Sequence, residues 1–215
     1  MSSWVDSVMV VLILTNLVVL GSSRLNTCIR VIALQGVMLS TLPLMSGEGV
    51  LPLRMAALTL VTVGLKGIVF PWLLLRALRQ AEIRREVEPY VGYIWSVVVG
   101  LASLGVSVWL GSRLPLPGAD RHGGLVVPVA LFMMFVGLFV IVSRRKALSQ
   151  ILGYIILENG TYAFGMSVLR EAPVLVELGI LLDAFVAVFV MGVAIYHISR
   201  EFEHMDADLL DTLKG

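Results

Sequence analysis

Long apolar runs separated by short polar stretches make up most of the chain. A run of about 20 apolar residues crosses the roughly 30 Å hydrocarbon core of a bilayer as a helix. Seven such runs occur, at residues 4–21, 27–45, 51–78, 90–110, 125–142, 147–169 and 174–198. The pattern predicts an all-α fold, an integral membrane bundle of seven transmembrane helices.

The polar stretches between the runs indicate how the chain is divided. Residues 79–88 are rich in charge, residues 113–124 are rich in turn-forming Pro and Gly, and the tail from Arg200 is acidic with apolar residues at helical spacing. We therefore predict a first three-helix unit at 1–78 and a charged linker, fourth helix and loop at 79–124. A second three-helix unit at 125–199 and a cytoplasmic amphipathic tail at 200–215 complete the division.

Composition excludes a soluble domain and the common kinds of catalytic centre. Of the 215 residues, 58% are hydrophobic and 14% are charged, against about 25% charged in soluble domains. Cys28 is the only cysteine, the three histidines are scattered, and no phosphate-binding glycine loop or nucleophile motif occurs. We expect no catalytic residue, no metal, no cofactor and no nucleic-acid partner. Because no basic stretch precedes the first run, we expect a retained helix and not a signal peptide.

Positive charge predicts the orientation in the membrane. Four arginines (Arg54, Arg113, Arg121 and Arg170) fall on the side of the N-terminus, whereas eleven Lys and Arg residues fall on the opposite side. Loops rich in Lys and Arg stay in the cytoplasm. The N-terminus is therefore predicted to lie outside and the C-terminus in the cytoplasm.

A weak internal repeat relates the first three runs to the last three. In both triplets a plain helix is followed by a basic turn, a helix with small or polar residues, and a helix with a central charge. A shift of 120 residues places Thr41 over Thr161, and Lys66 falls three residues from the position that matches Asp183. Because one helix separates the triplets, both have the same orientation, which predicts a parallel repeat of two three-helix units.

Three ionisable residues lie near the middle of predicted membrane helices: Lys66, Glu158 and Asp183. A charge at that depth costs roughly 2.5–3.5 kcal/mol on insertion scales, so it usually faces protein or water and has a function. A buried carboxylate beside a cation can take up and release a proton, as a relay site requires. The alternative is structural, because a buried carboxylate–lysine pair can simply lock helices together or bind a partner subunit.

Neighbouring residues modify this picture. Pro71 follows Lys66 and cannot donate to the carbonyl of Gly67, so we predict a loosened, kinked turn beside the lysine. Glu177 and His197 are possible secondary relay residues on the last run, although an interfacial role is the simpler interpretation. His197 lies on nearly the same helix face as Asp183, whereas Glu177 points about 120° away.

The stretch from Arg144 to Gly160 (RRKALSQILGYIILENG), followed by the Asp183 helix, resembles the three-helix K subunit of respiratory complex I. It is similar also to the C component of the multisubunit cation/proton antiporters. The length, the seven runs and the stretch KGIVFP from Lys66 to Pro71 resemble hydrogenase 4 component E. The K-like resemblance covers about 125–200, and the component E resemblance covers the whole chain.

The resemblance assigns relay roles, with three departures. It places the first buried glutamate of the K subunit at Ile155, whereas this chain has Glu158 one turn later on nearly the same face. Its second glutamate matches Asp183, a shorter acid. In the first triplet the matching position is Gln35, a polar bridge that cannot titrate. The implied relay set is therefore Glu158, Asp183, Lys66 and Gln35.

The resemblance implies a non-redox subunit of a proton- or sodium-translocating complex in a prokaryotic cytoplasmic membrane. Its expected partners are the lipid bilayer and other membrane subunits, including antiporter-like large subunits, and it would couple these to a redox module. Three alternatives stay open: a subunit of a multisubunit cation/proton antiporter, a self-standing transporter whose repeats enclose a substrate site, and a structural scaffold. A self-standing transporter should have broken helices and a roomy polar cavity.

Overall fold

The computed structural model describes residues 2–46, 53–80, 90–114 and 124–168, together with six single residues of the last run (Gly179, Leu182, Phe185, Val186, Val188 and Gly192). The described part is all-helical and contains no strand. Its elements are α1 (Ser2–Gly21), α2 (Leu25–Ser46), α3 (Leu53–Gly64), a π-helical turn (Leu65–Val69), α4 (Phe70–Gln80), α5 (Tyr93–Arg113), α6 (Val126–Ser143) and α7 (Ala147–Val168).

Six of the seven predicted runs form these helices, with ends that differ from the prediction by a few residues. Within the described residues, five helical spans are long and apolar enough to cross a membrane, and α3, the π-helical turn and α4 together contain the third of them. α7 is 22 residues long. It is less apolar than the five spans, because it contains polar residues such as Asn159, which is buried. The seventh run falls largely outside the described residues, so the count of seven helices stays a prediction.

The third helix changes its winding around Lys66. The backbone N–H of Phe70 donates to the carbonyl of Leu65, five residues back, and this bond closes the π-helical turn. Pro71 has no N–H to donate and therefore cannot make the next α-helical bond. The turn that Pro71 was predicted to loosen is thus a π-helical segment, a form often found at functional sites.

α6 and α7 pack closely enough for their backbones to touch. A Cβ atom added to Gly137 would lie 2.5 Å from the amide nitrogen of Leu157, and one added to Gly153 would lie 2.9 Å from the carbonyl oxygen of Gly137. At Gly160 an added Cβ would lie 2.8 Å from the amide nitrogen of Met134. Small residues commonly permit such contacts between membrane helices. This tight pair holds α7, and the acid on it, in place.

Arg144, in the turn between α6 and α7, connects three parts of the molecule. Its Nη2 atom donates to the carbonyl oxygen of Leu20 near the end of α1, at 3.1 Å. Its guanidinium lies 4.6 Å from the ring centroid of Tyr93, the first residue of α5. The end of α1, the start of α5 and the α6–α7 turn therefore share one end of the bundle, which we call the α6–α7 face. The opposite end, where α2 ends and α3 begins, is the α2–α3 face.

α5 covers the bundle loosely. It packs on α1 and α6, but its buried residues are small ones, Ser96, Gly100 and Ser107. Trp95 and Trp109 are exposed. Most of the α5 surface is therefore available to lipid or to a neighbouring subunit.

Candidate functional site

A buried ion pair joins the first and second halves of the chain. The Nζ atom of Lys66 donates to Glu158 Oε2 at 2.6 Å and to Asn159 Oδ1 at 2.9 Å. It also lies 5.6 Å from the ring centroid of Tyr162. Lys66 and Glu158 are each 4% exposed, and Asn159 is fully buried. The ammonium is thus held by a carboxylate, an amide oxygen and an aromatic ring.

Close helix packing brings Lys66 to this position. A Cβ atom added to Gly36 on α2 would lie 2.9 Å from the Cβ of Lys66 and 3.0 Å from its Cδ, so only glycine leaves room for the lysine stem. An added Cβ on Gly67 would meet Val37 at 2.9 Å. The two glycines allow α2 to approach the π-helical turn, and the lysine side chain then reaches α7.

The burial of this pair decides what it can do. Each charge alone would be expensive at this depth, and the pair is tolerated because the carboxylate and the ammonium satisfy one another. A carboxylate and an amine in direct contact can exchange a proton and can respond to a charge that arrives nearby. The arrangement is therefore suited to a proton or charge relay, and it equally locks α7 onto the π-helical turn.

A second buried polar group, which includes Gln35, lies between α1 and α2. Its Nε2 atom donates to Thr15 Oγ1 at 2.9 Å, and the Thr15 hydroxyl donates to the carbonyl oxygen of Leu12 at 2.9 Å. Asn16 Nδ2 donates to the same carbonyl at 2.7 Å. Gln35 and Asn16 are fully buried. They lie beside an otherwise apolar helix–helix contact.

Three buried polar atoms of these residues have no hydrogen-bond partner within the part of the chain that the structure describes: Gln35 Oε1, Asn16 Oδ1 and Asn159 Nδ2. Nearly all buried polar atoms in proteins are paired with protein or with ordered water. These three atoms therefore mark positions where water, or a group from outside the described residues, is expected to bind.

The structure brings together two of the predicted relay residues, Lys66 and Glu158. The third, Gln35, directly precedes Gly36, the glycine that packs against the Lys66 side chain. Asp183, Glu177 and His197 lie outside the described residues. Proximity alone does not test conduction, so the relay roles stay predictions. Among the described residues no group of three or more His, Cys, Asp or Glu could hold a metal ion.

Asn159 is a partner of the lysine that the sequence pattern did not reveal. The triplet Asn159-Gly160-Thr161 has the form of a glycosylation site, an interpretation that its position in an apolar run excludes. The available signal was a second polar residue directly after Glu158. Thr15 and Asn16 carried the same kind of signal, a polar pair inside an apolar run.

The C-terminal part of the chain, which carries one half of the ion pair, matches a known family. Residues 125–215, which include α6, α7 and Glu158, match the family model of NADH-ubiquinone/plastoquinone oxidoreductase chain 4L. Residues 125–215 belong to the chain 4L family. The expected resemblance to the K subunit of complex I is thereby confirmed for the C-terminal part.

Two relatives match the chain, one along nearly its whole length and one along part of it. The chain is 30% identical over 207 residues to the uncharacterized protein Rv0085 of Mycobacterium tuberculosis, covering 94% of this chain and 92% of that protein. It is 42% identical over 87 residues to Hydrogenase-4 component E of Escherichia coli (strain K12), covering 40% of each chain. Component E of Shigella flexneri matches to the same extent. The predicted kinship with component E is confirmed, over 87 residues and not over the whole chain. No solved structure matches the chain.

Proposed function

We propose that this protein is a non-redox membrane subunit of a proton- or sodium-translocating respiratory complex of the hydrogenase-4 or complex I type. The observation that carries the proposal is the buried Lys66–Glu158 pair, 2.6 Å apart, which connects the chain 4L region to the preceding helices. The names of the relatives, a hydrogenase component and an oxidoreductase chain, supply the type of complex.

In this proposal the ion pair is the centre of a relay. Glu158 and Lys66 exchange or sense charge, Gln35 bridges towards α1, and Asp183 continues the path on the last run. Glu177 and His197 are secondary candidates at its ends. The unpartnered atoms of Gln35 and Asn159 support the idea that water completes the path.

The proposed topology completes this picture. We propose seven membrane helices, an external N-terminus, a cytoplasmic C-terminus and a parallel repeat of two three-helix units at 1–78 and 125–199, separated by 79–124 and followed by the tail at 200–215. The family model begins at residue 125, the first residue of the second unit, which supports this division. The basic α6–α7 face would lie in the cytoplasm of a prokaryotic cell.

The proposed partners are the other membrane subunits of the complex, including antiporter-like large subunits, with this chain coupling them to the redox module. A subunit of a multisubunit cation/proton antiporter could use the same ion pair. A self-standing transporter is less well supported, because it should enclose a roomy polar cavity. A cavity of about 360 Å³ among the described residues is instead lined mainly by apolar side chains such as Ile141, Ile151 and Phe185.

The test compares ion pumping with assembly in Glu158→Gln, Asp183→Asn and the double variant. The tagged complex is purified in mild detergent, its co-purifying chains are identified by mass, and ion uptake per redox turnover is measured after reconstitution. We expect normal assembly, because the glutamine still offers Lys66 an oxygen acceptor, and a clear loss of coupled pumping.

Thr161→Val is the matched control, since Thr161 is exposed on the same helix as Glu158. Wild-type pumping by the assembled double variant would exclude the relay role. Purification of the tagged protein alone, or as a homo-oligomer, would favour a self-standing transporter.

A further inference from the structure

Buried hydroxyl groups lie between the ion pair and the α2–α3 face. Thr59 and Thr62 lie on the same face of the third helix as Lys66, at spacings of three and four residues, and are 4% and 3% exposed. Ser40, one turn beyond Gly36 on α2, is 3% exposed. α2 packs against α3 and runs antiparallel to it, so Ser40 and Thr62 lie at similar depth. Tyr162 adds a hydroxyl one turn beyond Glu158 on α7.

Apolar side chains occupy the corresponding positions towards the α6–α7 face. Ile32 on α2, Phe70 and Leu74 on α4, and Ile155 on α7 are all buried. These four side chains line a small space around the stem of Lys66. On α2, on the third helix and on α7, the hydroxyl and charged groups therefore lie nearer the α2–α3 face. The aliphatic and aromatic groups lie nearer the α6–α7 face.

The apolar layer is thick. On α7 the next buried polar side chain towards the α6–α7 face after Glu158 is Ser149, about 13 Å away along the helix axis. In the other direction, the polar groups extend as far as Thr59, about 10 Å from Lys66 along the helix axis. This distance is about two thirds of the roughly 15 Å thickness of half a bilayer. Among the described residues of α2, the third helix and α7, the buried polar groups near the ion pair thus lie on one side only.

We propose that protons reach the Lys66–Glu158 pair from the α2–α3 face, through a column formed by Thr59, Thr62, Ser40 and Tyr162, and that the apolar layer seals the pair from the α6–α7 face. The proposal rests on the proposed relay function and adds to it a direction of access. It makes the protein a half-channel with one open side.

The chemistry of the column suits this role. A hydroxyl group both donates and accepts a hydrogen bond, so a row of hydroxyls can pass a proton or hold the waters that pass it. Aliphatic side chains do neither, and a dry apolar layer of this thickness opposes any charge that enters it.

A competing route starts on α1. Asn16 is buried in the half of α1 nearer the α6–α7 face, and it neighbours Thr15, the partner of Gln35. Entry from that face through Asn16 and Gln35 would bypass the apolar layer, so an experiment must include this position.

Cysteine reactivity measures water access directly. The variants Thr59→Cys, Thr62→Cys, Leu74→Cys, Ile32→Cys and Asn16→Cys are made in a Cys28→Ala background, in the intact complex. A small charged, membrane-impermeant methanethiosulfonate is applied to right-side-out and to inverted membrane vesicles. Thiolate formation requires hydration, and so we expect Thr62→Cys to react at least ~10-fold faster than Leu74→Cys, from the α2–α3 face only. The wild-type protein, which keeps Cys28, is the negative control. Cys28 is 4% exposed and lies in the half nearer the α6–α7 face, and we expect it to stay unreactive.

Several outcomes would overturn the proposal. These are equal rates at Thr62 and Leu74, faster reaction of Ile32→Cys, or labelling of Asn16→Cys from the α6–α7 face. Labelling reports water and not turnover, so it is independent of the Glu158 variants. If labelling is not one-sided but pumping still depends on Glu158, the column alone is rejected. If labelling is one-sided but the Glu158 variants pump normally, the relay alone is rejected.

Discussion

Lys66 can reside at the centre of this bundle because its ammonium group is almost completely enclosed by partners from another helix. The contacts to Glu158 and Asn159, at 2.6 and 2.9 Å, replace part of the hydration that the group loses. Such pairs are weak contributors to stability as a whole but are costly to break from one side, because the remaining charge stays buried.

A double-variant comparison tests this coupling. Lys66→Met and Glu158→Leu should each lower stability by about 3–5 kcal/mol, since each leaves one uncompensated charge. The double variant should be more stable than either single variant, because both charges are then gone. The measurement is the thermal unfolding of the detergent-solubilised protein. A double variant that is destabilised by the sum of the two single effects would show that the two side chains act independently.

The sequence identified both charges but not their contact. Lys66 and Glu158 stood out because ionisable residues are rare within apolar runs. Their pairing depends on the approach of α2, the π-helical turn and α7, and the two residues are 92 positions apart in the chain. Asn159 was overlooked because an uncharged amide is not rare enough in an apolar run to attract notice.

At the scale of the elements, glycine decides where helices touch. Gly137, Gly153 and Gly160 lie in the contact between α6 and α7, where an added Cβ would overlap the backbone of the other helix. Gly105 on α5 has nothing within 4 Å of the position of an added Cβ. The two kinds of glycine provide a matched comparison.

Gly137→Ala should therefore destabilise the protein by about 1–3 kcal/mol, the usual cost of overpacking a well-packed contact. Gly105→Ala should be neutral or stabilising by about 0.5–1 kcal/mol, because alanine favours the helix. Thermal unfolding in detergent measures both. If Gly137→Ala proved as stable as the wild type, the close packing of α6 and α7 would be wrong.

Element boundaries were largely predictable, and the departures have physical reasons. The proline at 71 correctly marked an irregular turn, but its π-helical form depends on which carbonyl the N–H of Phe70 selects, and the sequence does not specify that choice. α7 was found despite its polar residues, because its flanking basic turn and its length are both typical of a membrane helix.

At the scale of the whole molecule, charge and fold together predict an orientation in the membrane that can be measured. α5 begins beside Arg144 on the α6–α7 face and ends at Arg113 on the α2–α3 face. Ser112 and Ala147 are exposed at these opposite ends. Replacing either residue with cysteine leaves the basic side chains unchanged.

Ala147→Cys should react with an impermeant thiol reagent only in inverted vesicles, and Ser112→Cys only in right-side-out vesicles, because the basic face is expected in the cytoplasm. Each variant serves as the control for the other. A reversed pattern would place the N-terminus inside the cell, and labelling of both positions from one side would contradict the path of α5.

The distance in sequence between the two charges of the ion pair has a consequence for synthesis. At about 5–20 residues per second, Glu158 leaves the ribosome roughly 5–20 s after Lys66. During that interval the lysine enters the membrane environment without the carboxylate that neutralises it. We therefore expect the third run to settle at its final depth only when α7 arrives, which makes insertion of the N-terminal helices dependent on completion of the C-terminal ones.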